Sequence, residues 1–186
     1  VGHRVVQGGE LFQQSVVINE EVIDNIKRCC NLAPLHNPSQ LLGIAAAQEV
    51  LSLVPHVAVF DTSFHQTMPK EVYLYAIPYE YYEQYHIRRY GMHGTSYRYV
   101  SQEAKRLLDE MNHPSDRLVI AHLGNGASLC AVKKGKSVHT TMGLTPLEGL
   151  IMGTRSGNID PSIFPFLQDN AHMDIPQIND LLNKQS

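Results

Sequence analysis

Leu118–Lys136 reads LVIAHLGNGASLCAVKKGK. Leu118–Ala121 is a short apolar run of strand formers that ends in His122-Leu123-Gly124-Asn125-Gly126, and a second apolar run, Ser128–Val132, follows at once. Lys133-Lys134-Gly135-Lys136 then has the composition of a turn into a third strand. The stretch predicts strand, tight polar loop, strand, turn, strand. The loop admits two readings. Asn-Gly is the commonest hairpin signal, so an ordinary turn accounts for it. Glycines on both sides of Asn125 also permit positive φ and a close ligand approach, which would let consecutive backbone N–H groups hold phosphate oxygens. A dinucleotide fold does not fit, because Gly124-x-Gly126 lacks the third glycine and leads into a strand, not a helix.

With 186 residues, 43% of them hydrophobic and 18% charged, the chain can bury one good core or two small ones. A net charge of -3 with scattered basic residues gives no nucleic-acid surface. No apolar run reaches membrane-spanning length and no signal peptide is visible, so no membrane partner is expected. Cys29, Cys30 and Cys130 form an odd set with two neighbours in sequence. That is no disulfide framework and points to a reducing, cytoplasmic setting. Ten histidines invite a metal reading, but none has zinc-site spacing, so no metal ligand is assigned among them. The chain begins at Val1, inside a strand pattern, and ends at Ser186, just after a helical one. The expectation is a piece of a longer protein.

Outward from the central hairpins, Val1–Val6 reads as a strand that sets Arg4 among apolar neighbours. Arg4 is either half-buried, needing an anionic partner, or a surface residue on an edge strand. Val16–Ile18 is a second short strand, and Glu20–Cys30 a helix with Val22, Ile23 and Ile26 on one face. Asn37 has the chemistry of an N-cap, with Pro38 first in the helix and Gln40 placed for a capping box. That helix, Pro38 to about Leu53, would bury Leu41, Leu42, Ala45, Ala46 and Val50. His56–Phe60 is a buried strand ending in Asp61-Thr62. A carboxylate there is either a site residue of an α/β fold or a turn-former. Ser63–Tyr85 is aromatic-rich and irregular, and its tyrosines read as packing residues. Gly91 and Gly94 bracket His93 ahead of a helix capped by Thr95 or Ser96, with Val100, Ala104, Leu107, Leu108 and Met111 as its apolar face. His93 then sits at a helix N-terminus that favours anions, unless it is a plain loop histidine. Thr140–Asp160 is dense in Gly and Thr, with Arg155 in an arrangement suited to an anion-binding loop. Pro161–Ser186 reads as helix, loop, helix, the last marked by Ile175, Ile178, Leu181 and Leu182.

Taken together, VGHRVVQGGE, LAPLHNP, VAVFDTSFH, RYGMHGTSYRYVS, IAHLGNGAS and TMGLTPLEGLIMGTRSGNIDP resemble the acetate kinase (acetokinase) family in order and spacing. The resemblance implies an α/β chain with part of the actin-like ATPase fold of sugar kinases and Hsp70 chaperones. Residues 1–62 would complete a first domain and 63–186 begin a second, nucleotide-binding one. It implies a homodimer that converts ATP and acetate to ADP and acetyl phosphate with Mg²⁺. Carried over residue by residue, Arg4 would bind the carboxylate or acyl phosphate, and Asp61 would be the acidic residue near the metal. His93 and Arg155 would stabilise the transferring phosphoryl group. His122, Leu123, Gly124, Asn125 and Gly126 would form a phosphate loop for ATP, and Val6, Leu35, Met92 and Pro146 would line the acyl pocket. Acetate is already an anion at neutral pH, so a metal-ordering role suits Asp61 better than proton transfer.

The chain departs from the family pattern at Gln7, Met92, Tyr97, His139 and Asn158, which stand for His, Phe, His, Asp and Asp. The family's N-terminal phosphate loop, its C-terminal adenosine loop and its C-terminal metal-binding Glu have no counterpart in this sequence. Two other functions therefore stand beside acetate kinase. One is a propionate or butyrate kinase, since Met92 is flexible enough to admit a longer chain. The other is a non-catalytic remnant.

Overall fold

A computed structural model describes all 186 residues. Strand β1 (Gly2–Val5) pairs in parallel with β3 (Val57–Phe60), and β2 (Val16–Val17) adds antiparallel on the other side, giving the order β1-β3-β2. The parallel pair needs a crossover, and α1 (Glu20–Arg28), a 3₁₀ turn (Cys29–Leu32) and α2 (Asn37–Val50) supply it. Asn19 caps α1 by accepting from the Val22 N–H at 2.9 Å. Val5, Phe12, Ile18, Val22, Ile26, Ile44, Ala58 and Phe60 form the core between this sheet and its helices.

After β3 come a 3₁₀ turn (Ser63–Thr67), two short helices, α3 (Lys70–Tyr73) and α4 (Glu80–Tyr85), and the long α5 (Gly94–Glu110). The central stretch is then the expected antiparallel meander of β4 (Arg117–Leu123), β5 (Ala127–Lys133) and β6 (Lys136–Thr140). Lys134 and Gly135 join β5 to β6 with φ of 50° and 74°, the two left-handed residues of a twisted hairpin turn. Phe64, Tyr97, Ile120, Cys130 and Val132 pack between this sheet and α5. A third cluster, Val6, Ala33, Met92, Ala127, Met142 and Met152, joins residues from both ends of the chain. Helices α6 (Ile163–Ala171) and α7 (Ile175–Lys184) close the chain, α7 starting with a full Asp174–Gln177 capping box and burying Ile178 and Leu182.

Several helix readings need correction. Asn37 is not the cap of α2. Its side chain is fully buried and spent on Gln7, accepting from the Gln7 N–H at 3.1 Å and donating to the Gln7 carbonyl at 2.9 Å. Gln40 likewise accepts from the Val6 N–H at 3.0 Å and closes no capping box. On α2 the buried apolar residue is Ile44, while Leu42 and Val50 are 74% and 79% exposed. On α5, Tyr97 and Ser101 are buried instead of Val100, Leu107 and Met111. In both helices apolar spacing marks a stripe, but the neighbouring sheet packs beside it. Ser63–Tyr85 holds short helices, and its tyrosines do more than pack. Tyr75 accepts from the Leu144 N–H at 2.8 Å and donates to Glu148, while Arg88 lies 3.7 Å from the Tyr73 ring.

Candidate active site

The two sheets bring four of the singled-out elements to one open cleft of about 610 Å³, lined by Arg4, Asp61, His93 and the loop residues His122, Gly124, Asn125 and Gly126. Arg4 is on β1 and Asp61 directly follows β3, the strand it pairs with. The Arg4 guanidinium donates to both Asp61 carboxylate oxygens, Nη2 at 2.6 Å and Nε at 3.1 and 3.2 Å. The pairing raises the Arg4 pKa further, chiefly through that hydrogen bond. This decides between the two readings of Arg4: it has its anionic partner, yet its side chain stays 66% exposed while Asp61 is 3% exposed.

His93 takes φ 61° and caps α5 by backbone position, not through a side-chain bond. Thr95 and Ser96 are inside the helix, and Ser96 Oγ meets His122 Nδ1 at 3.0 Å. The His93 and His122 rings stack at 4.0 Å. His93 Nδ1 lies 2.8 Å from Ser128 Oγ, which lies 2.5 Å from the Tyr97 hydroxyl. Burial, then the nearby His122, Arg4 and Arg155, push the His93 pKa down to about 4. The ring is neutral at pH 7 and works as a hydrogen-bonding group.

The loop between β4 and β5 corrects one expectation and keeps another. Neither Gly124 nor Gly126 has positive φ, so no left-handed turn is built there. Gly126 serves close approach instead. A Cβ there would lie 3.4 Å from Arg155 Nη1 and 3.5 Å from His93 Nε2. The loop, His93 and Arg155 therefore converge on one point. Arg155 is held by Nη1 donating to the Pro146 carbonyl at 3.0 Å, and the Gly153 N–H donates to the Asn125 carbonyl at 3.2 Å. Helix α7 seats this segment, its Leu182 carbonyl accepting from the Ser156 N–H at 3.0 Å. Two guanidiniums, a neutral imidazole, loop amides and the N-terminus of α5 are groups whose chemistry suits phosphate oxygens.

The remaining singled-out residues divide. Val6 and Met92 are buried in one cluster, and Pro146 touches Arg155. Leu35 is 81% exposed and stands outside that cluster. His122 and Leu123 are the last residues of β4, and Leu123 is exposed. The departures are mostly accommodated: Asn158 Oδ1 accepts from the Gly149 N–H at 2.8 Å, as a carboxylate would, whereas the buried Gln7 leaves Nε2 without a partner. Sequence reasoning missed His3, Thr95 and Ser96, which line the cleft, and Ser128. The four-residue spacing from His93, just ahead of α5, to Tyr97 was the available signal for the tyrosine behind it, and no spacing points to Ser128.

Asp61 is the cleft's one carboxylate, and no cluster of three ligating side chains exists in the chain. That donor set suits a Mg²⁺ held mainly by phosphate oxygens and water, not an all-protein cage.

The acetokinase family model matches residues 1–186. Acetate kinase 1 of Neisseria meningitidis is 60% identical over 186 residues, which are all of this chain and 46% of that protein. An acetate kinase of Carboxydothermus hydrogenoformans is 55% identical with the same coverage. Among solved structures, a propionate kinase from Francisella tularensis superposes with TM-score 0.93 at 52% identity, and Porphyromonas gingivalis acetate kinase with 0.91 at 48%, over 47% and 46% of those chains. The chain thus spans about half the length of the relatives it matches, and its architecture is part of the actin-like ATPase fold.

Proposed function

The chain belongs to the acetokinase family, and from that premise we propose that it carries the carboxylate-binding and phosphoryl-transfer half of an ATP-dependent short-chain carboxylate kinase, with acetate as acceptor. One observation carries the reading: Arg4, Asp61, His93 and the Gly124–Gly126 loop line a single cleft, and Arg155 reaches the same loop at Gly126.

A carboxylate oxygen attacks the γ-phosphorus of ATP. The new O–P bond forms as the bond to the β,γ-bridging oxygen breaks, and ADP leaves with that electron pair. The acceptor has no proton to lose, so no general base is required. Phosphoryl transfer asks mainly for positioning and for neutralisation of charge on the equatorial oxygens. Arg4 binds the carboxylate, with Asp61 fixing the guanidinium plane. His93 donates to a phosphoryl oxygen as a neutral group, and Arg155 meets the charge that develops there. The loop amides hold the ATP phosphates. Mg²⁺, oriented by Asp61, supplies further charge neutralisation when bound.

Residues 1–62 and 63–186 are the parts of two domains. The first core cluster draws only on residues up to Phe60 and the cluster under α5 only on residues from Phe64 onward, while Val6, Ala33 and Met92 meet in the third. Val6, Leu35, Met92 and Pro146 are assigned to the acyl pocket, with Val6 and Met92 sharing one buried cluster. Three free cysteines fit a cytoplasmic protein. No helix is long and apolar enough to cross a membrane. Homodimer formation rests on the family resemblance alone.

A second acceptor, propionate, has its own support. Met92, Met142 and Met152 all sit in the cluster beside Val6, a flexible wall that can yield to one more methylene, and the propionate kinase of Francisella tularensis is among the structural neighbours. The test is a hydroxamate assay with ATP, Mg²⁺ and acetate, propionate or butyrate, on a full-length acetokinase carrying this segment. Acyl phosphate from acetate is expected. Absence of acyl phosphate with all three acids would overturn the reading.

A further inference from the structure

Tyr97, Ser128 and His93 form a hydrogen-bonded chain that ends in the cleft. The Tyr97 hydroxyl and Ser128 Oγ are 2.5 Å apart, and Ser128 Oγ and His93 Nδ1 are 2.8 Å apart. Tyr97 and Ser128 are fully buried, and the one other group at either hydroxyl is the His122 backbone N–H at Tyr97, a donor that offers the phenol proton no acceptor.

Three protons must be placed: one on each hydroxyl and one on the neutral ring. If Nδ1–H donates to Ser128, the serine proton must go to Tyr97, and the phenol proton then has no acceptor. If Tyr97 and Nδ1–H both donate to Ser128, the serine proton has none. Each arrangement strands a buried O–H, which interiors avoid. One direction pairs everything: Tyr97 donates to Ser128, and Ser128 donates to Nδ1. The ring proton is then on Nε2, the nitrogen that faces the Gly126 backbone.

We propose that Ser128, its hydroxyl aimed by Tyr97, is a positioning residue that holds His93 in the Nε2–H tautomer, so that a neutral donor faces the phosphoryl group in the cleft. The assignment of that ligand rests on the kinase reading above; the tautomer does not. The opposite tautomer would aim a lone pair at phosphate oxygens and repel them. Burial keeps the Tyr97 phenol protonated, pushing its pKa up to about 12, and keeps His93 neutral at pH 7, so a tautomer, not a charge, is what the chain sets.

The test is ¹⁵N NMR of the histidine-labelled protein at pH 7, with His93 assigned by its loss in His93→Gln. Long-range couplings from the ring C–H protons identify the protonated nitrogen. The wild type should hold a single Nε2–H tautomer, and Ser128→Ala should give a mixture. Ser128→Thr, which keeps the hydroxyl, should restore the single form. Tyr97→Phe should also keep Nε2–H, because the serine proton then has no acceptor except His93. Nδ1–H in the wild type, an unchanged ratio in Ser128→Ala, or a switch to Nδ1–H in Tyr97→Phe would overturn the proposal. None of these readouts needs turnover. Failure of acyl phosphate to form would count against the kinase reading and leave the tautomer result standing.

Discussion

The backbone N–H of Gly94 donates to the Asp61 carbonyl at 2.8 Å, and a Cβ at position 94 would sit 2.3 Å from that same oxygen. The start of α5 is thus pressed onto the end of β3, and this contact sets His93 beside the Arg4–Asp61 pair. A methyl group has no room unless the helix lifts away. Gly94→Ala should therefore cost about 1–3 kcal/mol, the usual range for overpacking, and should depress phosphoryl transfer by moving His93. Urea melts beside the hydroxamate assay check both. A variant with wild-type stability would mean the contact relaxes without strain.

Asp61→Asn separates stability from chemistry. Asparagine keeps the volume and one acceptor for Arg4, whose side chain is 66% exposed and can turn to water. Because Asp61 itself is 3% exposed, stability should fall by about 1–3 kcal/mol, the cost of leaving a buried polar group imperfectly paired. Acyl phosphate formation should fall by roughly 100-fold or more, the scale of losing a charge that organises a transition state. Activity within a few-fold of wild type would remove Asp61 from the reaction.

The legible parts of this molecule are those where local chemistry and tertiary contact agree. The meander from Arg117 to Thr140 follows from successive apolar runs and a Lys-Gly turn, and its strands pair antiparallel in the expected order, with a register shift between Ala131 and Val132. Asp61 and His93 could be singled out because each sits at a strand or helix end next to glycine or a turn, and Arg4 because it is a charge among apolar neighbours of a strand. What was not legible depends on distant partners. Asn37 has the chemistry of a cap, but the buried Gln7 backbone, 30 residues away in sequence, competes for it. Gly124 and Gly126 read as left-handed, but neither has positive φ, and Gly126 gives room for Arg155 and His93. No periodicity reports Ser128 as the group behind His93, because it arrives from another strand.

Arg155 has no carboxylate partner; its Nη1 is held by the Pro146 carbonyl. A guanidinium so placed is free to meet charge that develops on the transferring phosphoryl. Arg155→Ala should lower kcat on the order of 10³-fold while changing KM for ATP little. Arg155→Lys should recover little, since one point charge cannot reproduce the planar fork. Steady-state kinetics on a full-length acetokinase carrying this segment distinguish the cases. Near-normal kcat with lost ATP affinity would make Arg155 a ground-state binder.

Acid should destabilise the fold through its buried histidines. His65 is fully buried, Nε2 donates to the Met92 carbonyl at 2.9 Å and Nδ1 accepts from Ser137 at 2.8 Å, so the neutral ring is completely paired. Burial lowers its pKa from 6.5 to about 4, and His93 is lowered to about 4 as well. Because the folded values lie below the unfolded ones, the unfolded chain binds more protons between these limits. Stability is therefore full above about pH 6.5 and lost as pH falls toward 4, with a slope of up to about 1.4 kcal/mol per pH unit for the His65 proton. Urea melts at pH 7.5, 6 and 5 should trace this loss. His65→Gln should start less stable and show a shallower slope; an unchanged slope would assign the acid sensitivity elsewhere.

The 186-residue chain by itself should be nearly inactive and prone to associate. Leu42, Val50 and Leu53 are 74%, 79% and 98% exposed along α2 and its exit, a stripe with apolar spacing and no neighbour. The relatives are about twice as long, this chain covering 46% of the Neisseria meningitidis protein. A catalytic site that lacks even about 1 Å of positioning loses roughly 100-fold in rate, and one cleft wall made of Arg4, Asp61, His93 and Gly126 leaves ATP held from a single side. Exposed apolar stripes of this kind drive self-association. Sedimentation velocity over a range of concentrations should show the chain growing in mass, and Leu42→Glu with Val50→Lys should suppress that growth without restoring turnover. Monomeric behaviour at all concentrations would show that the stripe is harmless. Acyl phosphate production at the rate of a complete acetokinase would show that this half of the family's fold holds ATP unaided.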